Sequence, residues 1–432
     1  MLKISKEKKV FVGLSGGVDS SVAALMLKNK GFDVTGVFMR CYNIDGCAER
    51  DAEDARRVAE HLKIPFYVWD FEAEYKKRVV DYMIEGYRKG ITPNPDIECN
   101  REIKFGLFLK RALKFGADFV ATGHYVRLVY SRGTAVVSAP ATETPLPLAT
   151  ATPVETGDRA RRRSESFRLN KSIFNLFEGR DGNKDQSYFL WTLTQKQLEY
   201  CLFPIGDYLK PVVRVMAKRA GLPTADKKDS QGICFLGKVT ISDFLKDYLP
   251  EKEGLVLNED GEKIGEHNGA HFYTIGQRQG IGNIKHQRGN KIHKPVYVIS
   301  KNIKKNMVVV AEEGNDLLRV KEVTLTGVNF INKDSELKIK DGNEMSVLVR
   351  VRYRQPLFGA CIKYQISSVK KNSNKKNFKL VFDKPQKFVA VGQSAVFYEY
   401  QGNSSLFSTR SGRRSLDKSE LRMLGGGIIT GV

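Results

Sequence analysis

The sequence has no long apolar segment and no regular arrangement of cysteines. No run of about 18 or more apolar residues occurs in its 432 residues, so no membrane-spanning helix is expected. Its six cysteines lack the spacing of a disulfide framework, which indicates thiols in a reducing compartment. The N-terminal residues lead into a strand pattern without the features of a signal peptide, and no internal repeat is evident. The sequence therefore predicts a cytoplasmic protein without a membrane partner.

Acidic residues are few relative to basic ones. Lys and Arg number 71 against 49 Asp and Glu, which gives a formal net charge of +22. Such an excess favours a polyanionic partner, most commonly nucleic acid. A basic solvated surface is the alternative, because part of the charge lies in the short segments 159–163 and 410–418.

The most informative pattern is an apolar strand that ends in small residues and opens a helix. Glycines let the backbone turn sharply, and the unpaired N–H groups at the helix start attract a phosphate. The loop has no Walker A lysine, which excludes the usual P-loop site. This predicted phosphate-binding loop, named the nucleotide loop below, consists of Gly13, Leu14, Ser15, Gly16, Gly17, Val18, Asp19 and Ser20.

Asp19 is the acidic member of this nucleotide loop. A carboxylate beside phosphates is repulsive unless a divalent cation lies between them, so Asp19 is predicted to contact Mg²⁺. An ordinary glycine turn in an α/β domain is the alternative. The strand before the loop, the helix after it and the Asp19-Ser20 pair within it favour phosphate binding.

Strands and helices alternate as far as about residue 125, which predicts a parallel sheet covered on both faces. Ligands bind such sheets at the carboxyl ends of the strands. The nucleotide loop, residues 38–40 and residues 122–124 fall at strand ends and are predicted to share one pocket. The predicted elements are strands Phe32–Met39, Phe66–Asp70 and Phe119–Gly123, and helices Val22–Lys28, Ala48–Leu62, Tyr75–Lys89, Ile103–Phe115 and Val213–Ala220.

Beyond about residue 252 the pattern changes to short strands, with a hairpin turn predicted at Asn258–Gly261. These strands predict a small barrel that residues 424–429 could close. The predicted strands are Met307–Ala311, Glu322–Phe330, Met345–Tyr353, Ala360–Ile366, Phe378–Phe382 and Ser394–Tyr400.

The predicted fold class is α/β: a parallel-sheet nucleotide-binding domain, then a small mostly β central domain and a C-terminal β-barrel. The domains are placed at 1–240, 241–308 and 309–432. Two polar inserts are expected, at 132–166 and 401–423. The first is interpreted as disordered, with an extra basic arm for RNA as the alternative.

Two loop cysteines are candidate nucleophiles. Prolines hold residues 94–100 extended, so this segment is predicted to be a presented loop. Asp96 and Cys99 are three residues apart, so the carboxylate could move protons while the thiol attacks. Cys234 lies in a second, glycine-adjacent loop. Although a lone loop cysteine is usually inert, the nucleotide loop makes chemistry at these two more plausible.

Eight motifs along the chain lie at 15–21, 92–105, 121–125, 183–189, 232–235, 274–278, 352–354 and 392–398. Together they closely resemble the bacterial tRNA-specific 2-thiouridylases, also called tRNA-uridine 2-sulfurtransferases, of the N-type ATP pyrophosphatase superfamily. The resemblance implies an adenine nucleotide alpha hydrolase-like first domain and ATP-dependent 2-thiolation of the wobble uridine of tRNA. ATP and Mg²⁺ are expected, with no permanently bound cofactor. The expected partners are tRNA and a sulfur-relay protein that donates persulfide sulfur, and the protein is expected to be monomeric.

The resemblance also implies residue roles. Cys234 is expected to carry the persulfide, Cys99 to resolve it to a disulfide, and Asp96 to act as acid and base. Met39 and Gly123 are expected to contact the adenosine of ATP. The implied contacts with the target base and the tRNA are Asn94, Pro95, Asp96, His124, Lys184, Asp185, Gln186, Arg352, Tyr353 and Gln393. A structural place beside the strand end is the alternative for His124, and an exposed strand face is the alternative for Arg352.

Two other functions remain open at this point. One is another ATP pyrophosphatase that adenylates a small substrate or a different RNA base, and the other is an RNA-binding module with a vestigial nucleotide site. Amination of an adenylate needs no pair of cysteines, so Cys99 and Cys234 favour sulfur transfer. Cys41 and Cys47 match no standard ligand spacing, so packing is favoured over a metal or iron–sulfur role.

Overall fold

The fold is taken from a computed structural model that places part of the chain. The predicted insert at 132–166 lies outside the described residues except at 132 and 135–137, and the insert at 401–423 does so except at 401 and 421–423. Cys234 also lies outside them. The described residues are 8–42, 46–132, 135–137, 173–229, 239–281, 283–284, 295–340, 344–365, 377–401 and 421–432.

A parallel five-stranded sheet forms the centre of the first domain, in the order β3-β2-β1-β4-β8. Along β1, Val10 and Val12 belong to one apolar cluster and Phe11 to another, because successive side chains of a strand point to opposite faces. Both faces are therefore buried, as the strand–helix alternation predicted. The strands are β1 (Lys9–Gly13), β2 (Asp33–Arg40), β3 (Phe66–Asp70), β4 (Phe119–Ala121) and β8 (Cys201–Leu202).

Helices cover this sheet on both sides and include two stretches with π-type hydrogen bonding, Lys76–Val80 and Cys99–Phe108. A short 3₁₀ turn spans Ser187–Phe189. The α-helices as far as residue 246 are α1 (Val18–Asn29), α2 (Cys47–His61), α3 (Glu72–Tyr75), α4 (Asp81–Arg88), α5 (Pro95–Glu98), α6 (Leu109–Lys114), α7 (Gln195–Leu198), α8 (Lys210–Arg219) and α9 (Ile241–Lys246).

Residues 95–100 are helical and Asn94 is the N-cap, so the prediction of a presented loop over 94–100 is wrong. Asn94 caps α5 with its side-chain oxygen, which accepts from the backbone N–H groups of Asp96 and Ile97 at 3.2 and 3.3 Å. Pro95 occupies the first turn, where proline is favoured because its fixed φ suits a helix and no N–H is needed. The prolines thus start a helix here instead of preventing one.

The central domain is a second five-stranded sheet, in the order β11-β10-β9-β13-β12. The predicted turn at Asn258–Gly261 connects β9 to β10, and Gly261 has φ +84° there. The predicted boundary between 308 and 309 falls inside β13, so the central sheet continues to Glu312. A 3₁₀ turn spans Ala270–Phe272. The strands are β9 (Gly254–Leu257), β10 (Lys263–His267), β11 (Asn283–Ile284), β12 (Val296–Asn302) and β13 (Met307–Glu312).

Six strands close into the predicted C-terminal barrel, because β19 pairs with β18 on one side and with β14 on the other. The closing strand begins at Leu421, so the last three residues of the predicted polar insert belong to the barrel. A 3₁₀ turn (Asp316–Leu318) and α10 (Lys333–Lys340) accompany the strands. The strands are β14 (Arg319–Phe330), β15 (Met345–Arg350), β16 (Phe358–Gln365), β17 (Asn377–Lys387), β18 (Ser394–Tyr400) and β19 (Leu421–Gly431).

A hairpin from the first domain extends the sheet of the barrel. Its strands are β5 (Val126–Arg132), β6 (Ala135–Val137) and β7 (Ile173–Glu178), and β7 pairs with β19. The first domain and the barrel therefore share one continuous sheet, a connection that the sequence pattern did not reveal. No helix in the placed part of the chain is long and apolar enough to cross a bilayer.

Candidate nucleotide site and catalytic segment

The nucleotide loop is folded around its own hydroxyl groups. The backbone N–H of Ser15 donates to Oγ of Ser20 at 3.1 Å, and Oγ of Ser21 donates to the carbonyl of Gly17 at 2.8 Å. Helix α1 begins directly after Gly17, and no side chain among the described residues caps it. Its first N–H groups therefore remain available to an anion, with the positive end of the helix dipole behind them.

Two glycines of the predicted site are required by close backbone contacts. Gly16 has φ +70°, and a Cβ there would lie 2.4 Å from the carbonyl oxygen of Asp51. A Cβ on Gly123 would lie 2.6 Å from the backbone nitrogen of Ser20 and 2.7 Å from the carbonyl carbon of Asp19. The end of β4 thus packs directly on the start of α1.

The strand ends predicted to share a pocket do lie together. A Cβ on Gly13 would meet Cε of Met39 at 3.0 Å and the carbonyl oxygen of Ala121 at 3.8 Å. Met39 also packs against the apolar cluster that contains Cys99. A Cβ on Gly13 would also lie 3.8 Å from the side chain of Phe108, the last residue of the π-type helix that begins at Cys99. The nucleotide loop, Met39 and this helix therefore lie in one region of the first domain.

Asp19 is paired with a lysine and a tyrosine. Nζ of Lys210 lies 2.7 and 2.9 Å from its two carboxylate oxygens, and the hydroxyl of Tyr125 donates to Oδ1 at 2.8 Å. Burial, followed by the charge of Asp19, raises the pKa of Tyr125, so its hydroxyl stays protonated as a donor. The negative charge of Asp19 is thus already neutralised by protein groups.

The surroundings of Asp19 can be compared with the ligands that the expected Mg²⁺ ion requires. Within the described ranges, no group of three or more His, Cys, Asp or Glu side chains is arranged to hold a metal. Mg²⁺ is commonly bound through one or two carboxylates together with phosphate oxygens and water. Both oxygens of Asp19 already accept hydrogen bonds from Lys210, so Asp19 fits as at most one ligand, with phosphates and water supplying the others.

Asp96 lies on α5 and is partly buried. Burial raises its pKa above the ordinary value, and the charge of Lys104 opposes that shift. Asn100 Nδ2 donates to the backbone carbonyl of Asp96 at 3.0 Å, which fixes the turn between Asp96 and Cys99. Cys99 itself is buried, at 5% exposure. A raised carboxyl pKa is suited to a group that takes and returns a proton.

The barrel contacts the chain just before the segment that bears Asp96 and Cys99. The backbone N–H of Thr92 donates to the carbonyl of Val391, and Nε2 of Gln393 donates to the carbonyl of Thr92, both at 2.8 Å. The hydroxyl of Tyr188 donates to the carbonyl of Ser394 at 3.0 Å. Gln393, expected to contact RNA, thus orients the chain just before Asn94.

Two of the predicted tRNA contacts lie in the interior. His124 is 6% exposed and its Nδ1 lies 2.7 Å from the hydroxyl of Thr122. Burial lowers the pKa of His124 well below its ordinary value, so the ring is neutral. Asp185 accepts from the N–H groups of Gly179 and Ser187 at 2.9 and 3.1 Å. Neither place favours direct contact with RNA, so those roles stay predictions.

Three further predicted RNA contacts bind or pack against other parts of the protein, and Arg352 and Tyr353 do so between domains. Gln186 exchanges hydrogen bonds with the backbone of Tyr125, both at 3.0 Å. The guanidinium of Arg352 donates to the carbonyl of Ile275 in the central domain. The ring of Tyr353 lies 4.4 Å from that of Phe189. Each of them also has a structural role.

The structure adds site residues that sequence reasoning missed. Lys210 and Tyr125 contact Asp19, and Asp229 contacts Lys210. Tyr125 lay within a motif noted in the sequence, but no pattern pointed to its contact with Asp19. Lys210 opens an ordinary amphipathic helix, and a lysine gives no local sign that it will be buried.

Comparisons with known proteins cover most of the chain. The family model described as tRNA methyl transferase HUP domain matches residues 8–145 and 148–238, and the tRNA methyl transferase PRC-barrel domain matches 242–312. The aminomethyltransferase beta-barrel domain matches 320–406. The chain is 38% identical over 406 residues to the tRNA-specific 2-thiouridylase MnmA of Bacillus cytotoxicus, covering 92% of this chain and 94% of that protein. This chain belongs to the tRNA-specific 2-thiouridylase family.

Other members of the 2-thiouridylase family show the same degree of similarity. The MnmA proteins of Alkaliphilus oremlandii and Streptococcus thermophilus are 37% and 38% identical over 405 and 403 residues. These alignments cover 92% of this chain in both cases, and 96% and 94% of the relatives. The second family model ends at residue 312, where β13 also ends. The family model and the central sheet therefore place the end of the central domain at the same residue, Glu312.

Proposed function

We propose that this protein is an ATP-dependent tRNA-uridine 2-sulfurtransferase that thiolates the wobble uridine of the anticodon. Its family membership supports the reaction class, since the relatives are tRNA-specific 2-thiouridylases by name. The observation that carries the proposal is the close packing of the nucleotide loop on the helix that begins at Cys99, since a Cβ on Gly13 would lie 3.8 Å from Phe108 of that helix. An ATP-cleaving site and a thiol in one region suit replacement of oxygen by sulfur.

The first step proposed is activation of the uridine. Its C2 oxygen is a poor leaving group, so this oxygen attacks the α-phosphorus of ATP and pyrophosphate departs. N–H groups of the nucleotide loop stabilise the charge on the departing pyrophosphate. Asp96, whose pKa is raised by burial, takes and returns the proton on the base. Mg²⁺ beside Asp19 would supply further charge neutralisation.

The second step proposed is sulfur transfer. A persulfide on Cys234, received from a sulfur-relay protein, attacks C2 through its terminal sulfur, and AMP leaves with the former C2 oxygen. The thiolate of Cys99 then attacks the sulfur of Cys234, so the S–S bond of the persulfide breaks and a Cys99–Cys234 disulfide forms. The electron pair of the broken bond stays on the sulfur bound to C2. An external dithiol reductant must reopen the disulfide before the next turnover.

The test is a thiolation assay with ATP, Mg²⁺, unmodified tRNA and a cysteine desulfurase with cysteine as the persulfide source. The expected products are 2-thiouridine, AMP and pyrophosphate. Cys234→Ala and Cys99→Ala are expected to abolish turnover, because each removes a sulfur atom that the chemistry needs. Cys361→Ser, in the barrel strand β16, is the matched control and is expected to retain activity.

A second measurement separates this function from another ATP pyrophosphatase. Mass spectrometry of the protein after one turnover without reductant is expected to show a Cys99–Cys234 disulfide. Undiminished 2-thiouridine from Cys234→Ala would refute the persulfide assignment. AMP release without thiolated tRNA would instead favour adenylation of a different substrate.

A further inference from the structure

Lys210 places a positive charge beside the nucleotide loop, whose own sequence has no lysine. It lies 191 residues from Asp19 in the chain, yet its Nζ contacts both carboxylate oxygens of Asp19. The side chain of Lys210 is 8% exposed. Lysine is almost never so buried unless it is paired. The fold therefore brings this ammonium group to the loop, and local sequence does not.

The same ammonium contacts a second carboxylate. Nζ of Lys210 lies 2.8 Å from Oδ1 of Asp229, the last described residue before Cys234. Asp229 is also bound by Lys184 at 2.6 Å and by Arg214 at 2.7 Å. Burial alone would raise the pKa of Asp229, but its hydrogen bonds from Lys184 and Lys210 lower it to about 2. Lys210 is thus shared between the carboxylates of Asp19 and Asp229.

Residues 224–229, here named the approach segment, are anchored to the nucleotide domain at further points. Oγ1 of Thr224 lies 3.1 Å from Oγ of Ser21 on α1. Lys227 pairs with Asp51 and Asp54 of α2 at 2.7 and 2.6 Å. The segment therefore contacts both helices that flank the nucleotide loop, and Lys210 provides its ionic link to the loop itself.

The charge of Asp19 must be neutralised for a triphosphate to bind. An ionised carboxylate repels phosphate, and this repulsion is poorly screened where water is partly excluded. Lys210 removes the repulsion. The ammonium group of Lys210 also binds Asp229. A phosphate that attracts this group away from Asp229 therefore weakens the attachment of the approach segment to the nucleotide loop.

We propose that Lys210 is a positioning residue of the nucleotide site, which keeps Asp19 compatible with a bound triphosphate and links the approach segment to the nucleotide loop. The inference rests on the proposed function, because ATP is the triphosphate in question. It concerns ATP binding alone and needs neither tRNA nor a sulfur donor.

The test compares Lys210→Met with Lys218→Met in the full-length protein. Lys218 lies on the same helix, is 60% exposed and pairs on the surface with Asp226. Isothermal titration calorimetry measures the Kd for ATP at several Mg²⁺ concentrations. We expect Lys210→Met to raise that Kd roughly tenfold or more, because Asp19 loses its partner. The Kd should also depend more steeply on Mg²⁺, since the metal must replace the missing charge. Lys218→Met should behave like the wild type.

Hydrogen exchange supplies a readout besides affinity. In the wild type, ATP is expected to change the protection of peptides that span the approach segment, and in Lys210→Met this response should be lost. Lys210→Arg, which keeps the charge, should recover part of both effects. Wild-type ATP affinity together with a wild-type exchange response in Lys210→Met would overturn the inference.

A double variant excludes simple misfolding as the explanation. Asp19→Asn combined with Lys210→Met removes both charges, so in the absence of Mg²⁺ it should bind ATP more tightly than Lys210→Met alone. A double variant that binds no better would contradict the neutralising role of Lys210. A protein that passes these binding tests but produces no 2-thiouridine would refute the proposed function and leave this inference standing.

Discussion

Gly123→Ala is a sharp test of how the nucleotide site is built. The added methyl group would lie 2.6 Å from the nitrogen of Ser20, 2.7 Å from the carbonyl carbon of Asp19 and 3.0 Å from Cα of Ser20. All three are backbone atoms at the start of α1, so no side chain can rotate away. Either the end of β4 or the start of α1 must move.

The size of the effect follows from this geometry. Forcing a methyl group into a closely packed region destabilises a protein by about 1–3 kcal/mol. Each hydrogen bond to a phosphate that the displaced N–H groups of α1 no longer make costs about 1.5–3 kcal/mol, or roughly a ten- to hundredfold loss of affinity. We therefore expect Gly123→Ala to reduce the free energy of unfolding modestly but to weaken ATP binding severely.

The assays are urea denaturation for stability and calorimetric titration for ATP affinity. Gly431→Ala is the matched control, because its added Cβ would lie 3.4 Å from the side chain of Thr324, at an ordinary van der Waals distance. The control should retain both properties. Wild-type ATP affinity in Gly123→Ala would refute the claim that β4 fixes the position of the nucleotide loop.

Two further predictions concern charged groups. Arg350→Met removes the partner of Glu178 and Asp185, whose carboxylates lie 2.8 and 3.3 Å from its guanidinium. We expect it to lower the free energy of unfolding by about 3–5 kcal/mol, because buried carboxylates lose their cation; an unchanged urea midpoint would contradict this. The pKa of Asp229 is lowered to about 2, so its contribution to stability is present above its ordinary pKa and lost as the pH falls toward 2. The stability difference between wild type and Asp229→Asn should shrink over that range, and a difference independent of pH would refute the pairing.

Much of the fold could be predicted because it depends on neighbours in the chain. The predicted strand Phe66–Asp70 is confirmed at both ends, and the predicted helix Ala48–Leu62 differs from α2 by one residue at each end. Periodicity alone indicates which side chains are buried. The prediction for 94–100 failed although it too was local. Proline disrupts the interior of a helix or strand, but in the first turn after a capping asparagine it starts a helix.

The candidate site was predictable only in part, for a related reason. The nucleotide loop is a single stretch of chain, so its glycines and hydroxyl groups revealed it. The partners of that loop come from elsewhere, and Lys210 and Tyr125 reach Asp19 across 191 and 106 residues. Asp185 shows a second limit of local reasoning. It lies in a motif that predicts contact with RNA, but its carboxylate is buried against Arg350, and no local pattern indicates that burial.

The sequence by itself determined the nucleotide loop as a strand–loop–helix element, the alternation of strands and helices in the parallel sheet and the change to short strands beyond it. These follow from backbone hydrogen bonding and from the spacing of apolar side chains, which act over a few residues. Only the tertiary structure decided that β19 closes the barrel, that β7 joins its sheet and that Lys210 neutralises Asp19. Such contacts depend on packing between distant segments, because a strand edge or a charged side chain does not specify its partner locally.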